Sequence, residues 1–307
     1  MKKVIVLDIG GTSIKYGIIS EKGNVLFHDE TPTEAKKGGA YLMGKVEELV
    51  SSLLQKEPTA VGIGISTAGQ VDPITGIITF ANENLPGWTG MPVKTNLENR
   101  FHLPAFVEND VNAAALGELW MGAGKGVKNM LCLTVGTGVG GAIIINGQVY
   151  HGATGSAGEF GHLLIKKDGL ICNCGQKGCF EQYASTGAMV RYVKKRYEEQ
   201  GIDSFDAVNG KWIFQQAAEG DKICQEGIDY MIDHLASGIA TLVHIFNPSL
   251  IVIGGGISGQ GKPLLERIQQ KVEEYIMPSY GPPLTLTFAT CGNQAGMLGA
   301  GYGILNQ

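Results

Sequence analysis

Apolar positions along the chain keep two rhythms. Residues 4–9 form an almost continuous apolar run that ends at Gly10-Gly11, and residues 15–20 return from that turn as a second run. Short apolar runs bounded by turn residues read as buried strands. Residues 24–30 read as a third strand, 61–66 as another, and 104–108 as a short extended segment. Between them, residues 38–56 place Leu42, Val46, Leu49, Val50, Leu53 and Leu54 at helical spacing, which predicts an amphipathic helix. A further helix is predicted from about Asp110, where Val111, Ala114, Ala115 and Leu119 make an apolar stripe.

The second half opens as the first does. An apolar strand at 130–135 meets a glycine turn, and a strand at 141–146 returns from it. The repetition of strand, glycine turn and strand suggests two halves of one design. Residues 228–246 then place apolar side chains at steps of three and four over five turns, a long core helix closed by Asn247-Pro248. A buried strand at 249–253 ends at Gly254-Gly255-Gly256, and a last helix, rich in Gly and Ala, is predicted from about Asn293. No linker separates the halves, so the boundary is expected in a helix or turn near residue 120. The expectation is an α/β protein of two domains, 1–118 and 119–292.

Composition sharpens this picture. Of 307 residues 46 are glycine, about twice the usual share of roughly 7%. They cluster between apolar runs, which excludes a disordered chain and points to tight turns and close approach to a ligand. A net charge of −5 with no basic face argues against nucleic acid. No apolar run nears the ~20 residues of a membrane span, and no signal-peptide core is visible. A soluble, cytoplasmic protein with no membrane partner is expected.

Two glycine turns carry candidate chemistry. In Asp8-Ile-Gly10-Gly11-Thr12-Ser-Ile-Lys15, backbone N–H groups and the Thr12 hydroxyl offer a concave row of donors for phosphate oxygens. Asp8 at the strand end can hold Mg²⁺ through water. An ordinary hairpin turn is the alternative. The run Gly136-Thr137-Gly138-Val139-Gly140-Gly141 exceeds what a hairpin needs, yet is neither a Walker loop nor a Rossmann fingerprint, since a strand follows. Two such loops, one per half, suit a nucleotide gripped from both sides of a cleft.

The six cysteines are uneven: Cys132, Cys224 and Cys291 are solitary and read as core residues, whereas Cys172, Cys174 and Cys179 fall close together. With His162 they give the spacing H-x9-C-x-C-x4-C and a Cys₃His donor set suited to a structural Zn²⁺ with no open position. Gly175 and Gly178 supply the turns that such a loop needs.

Taken in order, Asp8 to Lys15, Glu108-Asn109-Asp110-Val111-Asn112, Leu133 to Gly141, Gly158-Glu159-Phe160-Gly161-His162 and the cysteine motif ending at Glu181 resemble the ROK family of sugar kinases and related repressors. The resemblance spans essentially the whole chain. It implies an actin-like, ribonuclease H-type fold of two α/β domains, with ATP and sugar in the cleft and the helix at 293–307 returning to the first domain. It also implies a homodimer or homotetramer.

A carboxylate at a strand-to-helix junction can orient a sugar hydroxyl and take its proton, so Asp110 is the candidate base. An N-cap role is the alternative for a lone Asp, and the resemblance favours catalysis. The resemblance also implies sugar contacts at Asn109, Glu159, His162, Glu181, Asn84 and the backbone at Ala68-Gly69, and an adenosine-side loop at Gly254-Gly255-Gly256. Glu108 reads as structural and Asn112 stays ambiguous. Trp88 reads equally as a sugar platform or a buried loop anchor.

The leading expectation is transfer of the ATP γ-phosphoryl group to a hexose or hexosamine, at O6, with Mg²⁺ bridging phosphates. The alternatives are a sugar-responsive regulator, for whose helix-turn-helix a strand beginning at Val4 leaves no room, and a non-catalytic sugar-binding protein. The segment Ser66-Thr67-Ala68-Gly69 is similar to the family's N-acetylmannosamine kinases, while Glu159 and Glu181 also suit glucose. Those two sugars stand level, with β-glucosides and fructose behind.

Overall fold

The computed structural model describes residues 1–202, 208–280 and 284–307. In chain order the first half holds β1 (Lys3–Ile9), β2 (Ser13–Ser20), β3 (Val25–Pro32), α1 (Gly39–Lys56), β4 (Ile63–Thr67), β5 (Gln70–Val71), β6 (Ile78–Phe80), α2 (Val93–Phe101), β7 (Ala105–Asn109) and α3 (Asp110–Met121). The second holds β8 (Met130–Val135), β9 (Val139–Ile145), β10 (Gln148–Val149), α4 (Glu181–Ala184), α5 (Thr186–Glu199), α6 (Gly210–Ala218), α7 (Lys222–Phe246), β11 (Leu250–Gly254), α8 (Lys262–Tyr275), β12 (Thr285–Phe288) and α9 (Ala295–Leu305). Among the described residues no helix is long and apolar enough to cross a membrane.

Two five-stranded sheets share one plan. The first runs β3-β2-β1-β4-β7, with β1 to β3 antiparallel and β4 and β7 parallel to β1. The second runs β10-β9-β8-β11-β12, with β10 antiparallel to β9 and β11 parallel to both β8 and β12.

Alternation along β1 explains how the first sheet is covered. Successive side chains point to opposite faces. Ile5, Leu7 and Ile9 join the cluster made with Leu42, Val46 and Val50 of α1, whereas Val4 and Val6 join Met297, Ala300 and Ile304 of α9. The last helix is therefore part of the first sheet's core.

The chain divides into two compact units, Met1–Asn129 with Ala142–Gly158 and Thr290–Gln307, and Met130–Gly141 with Glu159–Ala289. This division differs from one after residue 118. Residues 122–129 stay with α3 because the buried Glu118 accepts from Ala123 N at 2.8 Å and its carbonyl from Gly124 N at 2.9 Å. Residues 146 and 147 bond in turn to Asn129 and Lys128. In the second unit α7 is the central helix, with Met231, Leu235 and Ile239 fully buried and α5, α6 and α8 packed on it.

Candidate active site

The expected site residues fall into two sets, one on each unit. On the first, β1 and β2 are in register, so Asp8 faces Lys15 across the Gly10-Gly11 turn, and Lys15 Nζ lies 3.8 Å from Asp8 Oδ2. The turn is held from outside by Thr33, whose hydroxyl donates to Gly10 O at 2.6 Å and whose N–H donates to Thr12 O at 2.8 Å. Thr12 and Gly11 are exposed, and Asn84 stands over Gly11 so closely that a Cβ there would lie 3.2 Å from Asn84 Cβ, tighter than ordinary contact. Asp8 itself is gripped by the neighbouring strand, because Ser66 Oγ donates to its Oδ1 at 2.6 Å. Burial raises the Asp8 pKa, against the opposing effects of Ser66 and Lys15. The first turn of α9 completes this corner: a Cβ on Gly296 would lie 2.6 Å from Asp8 Oδ1.

Asp110 opens α3 beside this corner. The N-cap is Asn109, not Asp110: its side-chain oxygen accepts from Val111 N at 2.9 Å and Asn112 N at 3.1 Å. The Asn109 amide nitrogen donates to Gly69 O at 2.8 Å and Asp110 Oδ1 at 3.0 Å. Asn109 thus has two acceptor and two donor positions filled within the unit. A sugar hydroxyl would have to exchange with one of these bonds. Gly69 must be glycine there, since its φ is +106° and a Cβ would fall 2.6 Å from Phe80 O.

The Asp110 carboxyl is pushed up to about 6, first by burial and then by the like charge of Asp8, against hydrogen bonds from Val111 N and Asn109. Beneath it, Glu108 is buried and fully engaged. Its Oε1 accepts from Asn109 N at 2.9 Å and Asn112 Nδ2 at 3.0 Å, and its Oε2 lies 2.7 Å from His151 Nε2. Asn112 is thereby spent on Glu108.

The two readings of Trp88 are now decided. Trp88 is fully buried, and its Nε1 donates to Thr67 Oγ1 at 3.1 Å, so it anchors the loop and offers no face to a sugar. Ser66 and Thr67 are fully buried too, committed to Asp8 and Trp88.

On the second unit, the β8–β9 turn carries Gly136, Thr137 and Gly138, with Gly140 inside β9. Gly136 N donates to Gly138 O at 2.9 Å, and Thr186 binds Gly136 O through both N (2.8 Å) and Oγ1 (2.6 Å). Glu181, the first residue of α4, accepts from Val139 N at 3.1 Å. Its Oε2 would sit 2.1 Å from a Cβ at Gly138, so a side chain there would displace the Glu181 carboxylate. Gly254 ends β11, Gly255 has φ +82° and packs on Val135, and Gly256 faces open space. At Gly255 close packing is thus a sufficient reason for glycine.

His162, Cys172, Cys174 and Cys179 bring one ligand atom each to within 4.8 Å of one another. His162 Nδ1 faces Cys172 Sγ at 3.7 Å, while Nε2 faces Glu159 Oε2 at 4.0 Å, so the two roles expected of His162 fall on different ring nitrogens. Glu159 leads into the 3₁₀ turn that carries His162. The Cys174 thiol is lowered, first by the Gln176 N–H, whereas burial and its neighbouring thiols push Cys179 up to about 12. Three crowded thiols ionise together only where a cation offsets their charge, and sulfur with imidazole suits Zn²⁺.

Sequence reasoning missed Ser66, Thr33, Gly296, His151 and Thr186. Each acts through a partner distant in sequence, so no local motif announces it.

This chain belongs to the ROK family, whose model matches residues 4–306. It is 38% identical over 313 residues to a glucokinase of Halalkalibacterium halodurans, covering 98% of this chain and 94% of that one. A ROK family glucokinase from Streptomyces griseus, solved in complex with glucose and AMPPNP, is 34% identical with a TM-score of 0.81 over 97% of this chain and 98% of that one. A putative N-acetylmannosamine kinase from Listeria monocytogenes is 29% identical with a TM-score of 0.84, over 99% of each. The fold is the actin-like ATPase fold, its two units built on matching mixed sheets.

Proposed function

We propose that this chain is an ATP-dependent sugar kinase that phosphorylates a hexose or hexosamine, with Asp110 as general base. The observation that carries the reading is the Asp110 carboxyl, buried at the start of α3 beside Asp8 and poised at about 6. A base works best with a pKa near the operating pH. As the sugar O6 bonds to the γ-phosphorus and the bridging bond to ADP breaks, the hydroxyl proton passes to Asp110. The Gly10-Gly11-Thr12 turn and the Gly136-Thr137-Gly138 turn would supply N–H donors to phosphate oxygens. Mg²⁺ supplies neutralisation of phosphate charge when bound, and Asp8 has the oxygen chemistry to hold it through water. Family membership and the glucokinase relatives support sugar phosphorylation.

Glucose and N-acetylmannosamine are the proposed acceptors. Because Ser66 and Thr67 are committed internally, the choice between them rests on Glu159, His162, Glu181 and their neighbours. An ADP-release assay over glucose, N-acetylmannosamine, β-glucosides and fructose tests the reading. Asp110→Asn is expected to keep sugar and nucleotide binding by calorimetry while kcat falls at least about 10²-fold. Comparable kcat in the variant removes Asp110 from its role. Sugar binding without ADP release from any sugar would instead favour a regulator or binding protein.

A further inference from the structure

Glu108 directly precedes the Asn109 cap, two residues before Asp110, and it is 2% exposed. A carboxylate taken out of water needs donors on both of its oxygens. Oε1 is served from its own junction, by Asn109 N at 2.9 Å and Asn112 Nδ2 at 3.0 Å. Those donors belong to residues that flank Asp110, so whatever fixes Glu108 also fixes the frame that carries the Asp110 carboxyl. Oε2 is served from a distant part of the chain, by His151 Nε2 at 2.7 Å. A carboxylate only accepts, so the ring donates its Nε2–H.

The loop that His151 opens is closed on itself and tied down. Ala157 N donates to His151 O at 3.1 Å, and Ser156 Oγ donates to Gln70 Oε1 at 3.1 Å. Gly155 has φ +84° and lies so near β5 that a Cβ would fall 2.6 Å from Val71 O. Gln70 and Val71 follow Gly69, whose carbonyl accepts from the Asn109 amide. Residues 151–157 therefore touch both segments that hold Asn109, namely Glu108 and the strand after Gly69.

We propose that His151 is a positioning residue for the Asp110 base, acting through Glu108, with the 151–157 loop as its strap. The inference rests on the kinase reading for the reaction it serves. His151 neither gives nor takes a proton in that reaction; its Nε2–H holds the Glu108 carboxylate in place. Without this donor one oxygen of a buried carboxylate is orphaned, which is unfavourable. The carboxylate then turns toward water or another donor, and its grip on Asn109 N and Asn112 Nδ2 loosens. A shift of about 1 Å at a reacting group can lower a rate by about 10²-fold, even when the change lies away from the chemistry. A purely structural contact would instead lower stability and leave the kcat of the folded enzyme intact.

Substitutions graded by the reach of the donor test this. Gln places an amide N–H three bonds beyond Cβ, where His carries Nε2. Asn places it one bond short, and Leu fills the space while donating nothing. With the best acceptor sugar, kcat should fall about 10²-fold in His151→Leu and His151→Asn, while KM for ATP stays within about two-fold of wild type. His151→Gln should recover kcat to within about five-fold of wild type. Hydrogen exchange by NMR reads the same hold without turnover. The Asn109 backbone amide should exchange about ten-fold faster or more in the Leu and Asn variants and at the wild-type rate in the Gln variant, with α1 amides unchanged. Should the Leu variant fail to fold, His151→Asn, which keeps a polar group at this partly exposed position, carries both readouts. Wild-type kcat in the Leu or Asn variant, a Gln variant as slow as they are, or unchanged exchange at Asn109 overturns the proposal. A wild type that releases ADP with no sugar sinks the kinase reading instead, and exchange at Asn109 then decides alone whether His151 holds the junction.

Discussion

Asp110 and Asp8 hold two carboxyls in one buried corner, and each is raised by that burial. For activity the sign is direct: Asp110 must be ionised to accept a proton. Hence kcat/KM for the sugar should fall about ten-fold per pH unit below about 6. For stability the sign runs the other way. A carboxyl raised from 3.8 to about 6 contributes stability below the unfolded value and loses it as pH rises through about 6. At neutral pH the ionised group is therefore a liability, on the order of 1–3 kcal/mol. Asp110→Asn should melt higher than wild type at pH 7.5, with the gap closing near pH 5, in scanning calorimetry. A variant that loses turnover while gaining thermal stability separates a catalytic role from a structural one. At this scale Asp110 was singled out by the family resemblance, since its place at a strand-to-helix junction alone favours an N-cap, a position that Asn109 takes. The Ser66 and His151 contacts were not legible, because each is made across the fold.

Among elements, the turns and strands of both glycine hairpins were legible because a strand that stops at glycine leaves a sharp local signature. The helix predicted at 38–56 is α1, Gly39–Lys56, and the long core helix is α7. The helices α5, α6 and α8 went unread: each buries only one narrow face, and α8 keeps just Leu264, Ile268 and Val272 inside. The cysteine loop was legible from its donors. Cys172 and Cys179 are buried, and backbone bonds such as Cys172 N to Gln176 O and Gly175 N to Cys172 O shape the loop around the four donors. Elemental analysis is expected to find one zinc per chain, and a strong chelator or Cys174→Ser should lower Tm by several degrees, structural zinc being part of folding energy. Unchanged melting with no metal bound would leave the loop without an ion.

For the whole molecule, the doubling of one sheet plan was visible as the repeat of strand, glycine turn and strand. The point of division was not, because it is set by Glu118, whose carboxylate also accepts from Thr290 N at 2.9 Å and Cys291 N at 2.7 Å. Those bonds launch α9 into the first unit. Its glycines let it sink: a Cβ on Gly299 would fall 1.6 Å from Ala113 O of α3. Backbone cannot yield there as a flexible side chain would, so Gly299→Ala should cost on the order of 1–3 kcal/mol. Urea unfolding would read that as a lower midpoint.

That docked helix also imposes an order of events on synthesis. The face of the first sheet carrying Val4, Val6 and Ile19 has its cover in the last stretch of chain, with all of Met130–Ala289 in between. At translation speeds of ~5–20 residues per second, that intervening stretch keeps the face bare for roughly 8–30 s. A nascent chain can complete its second unit on the ribosome, but its first unit stays a client for chaperones until the final helix emerges.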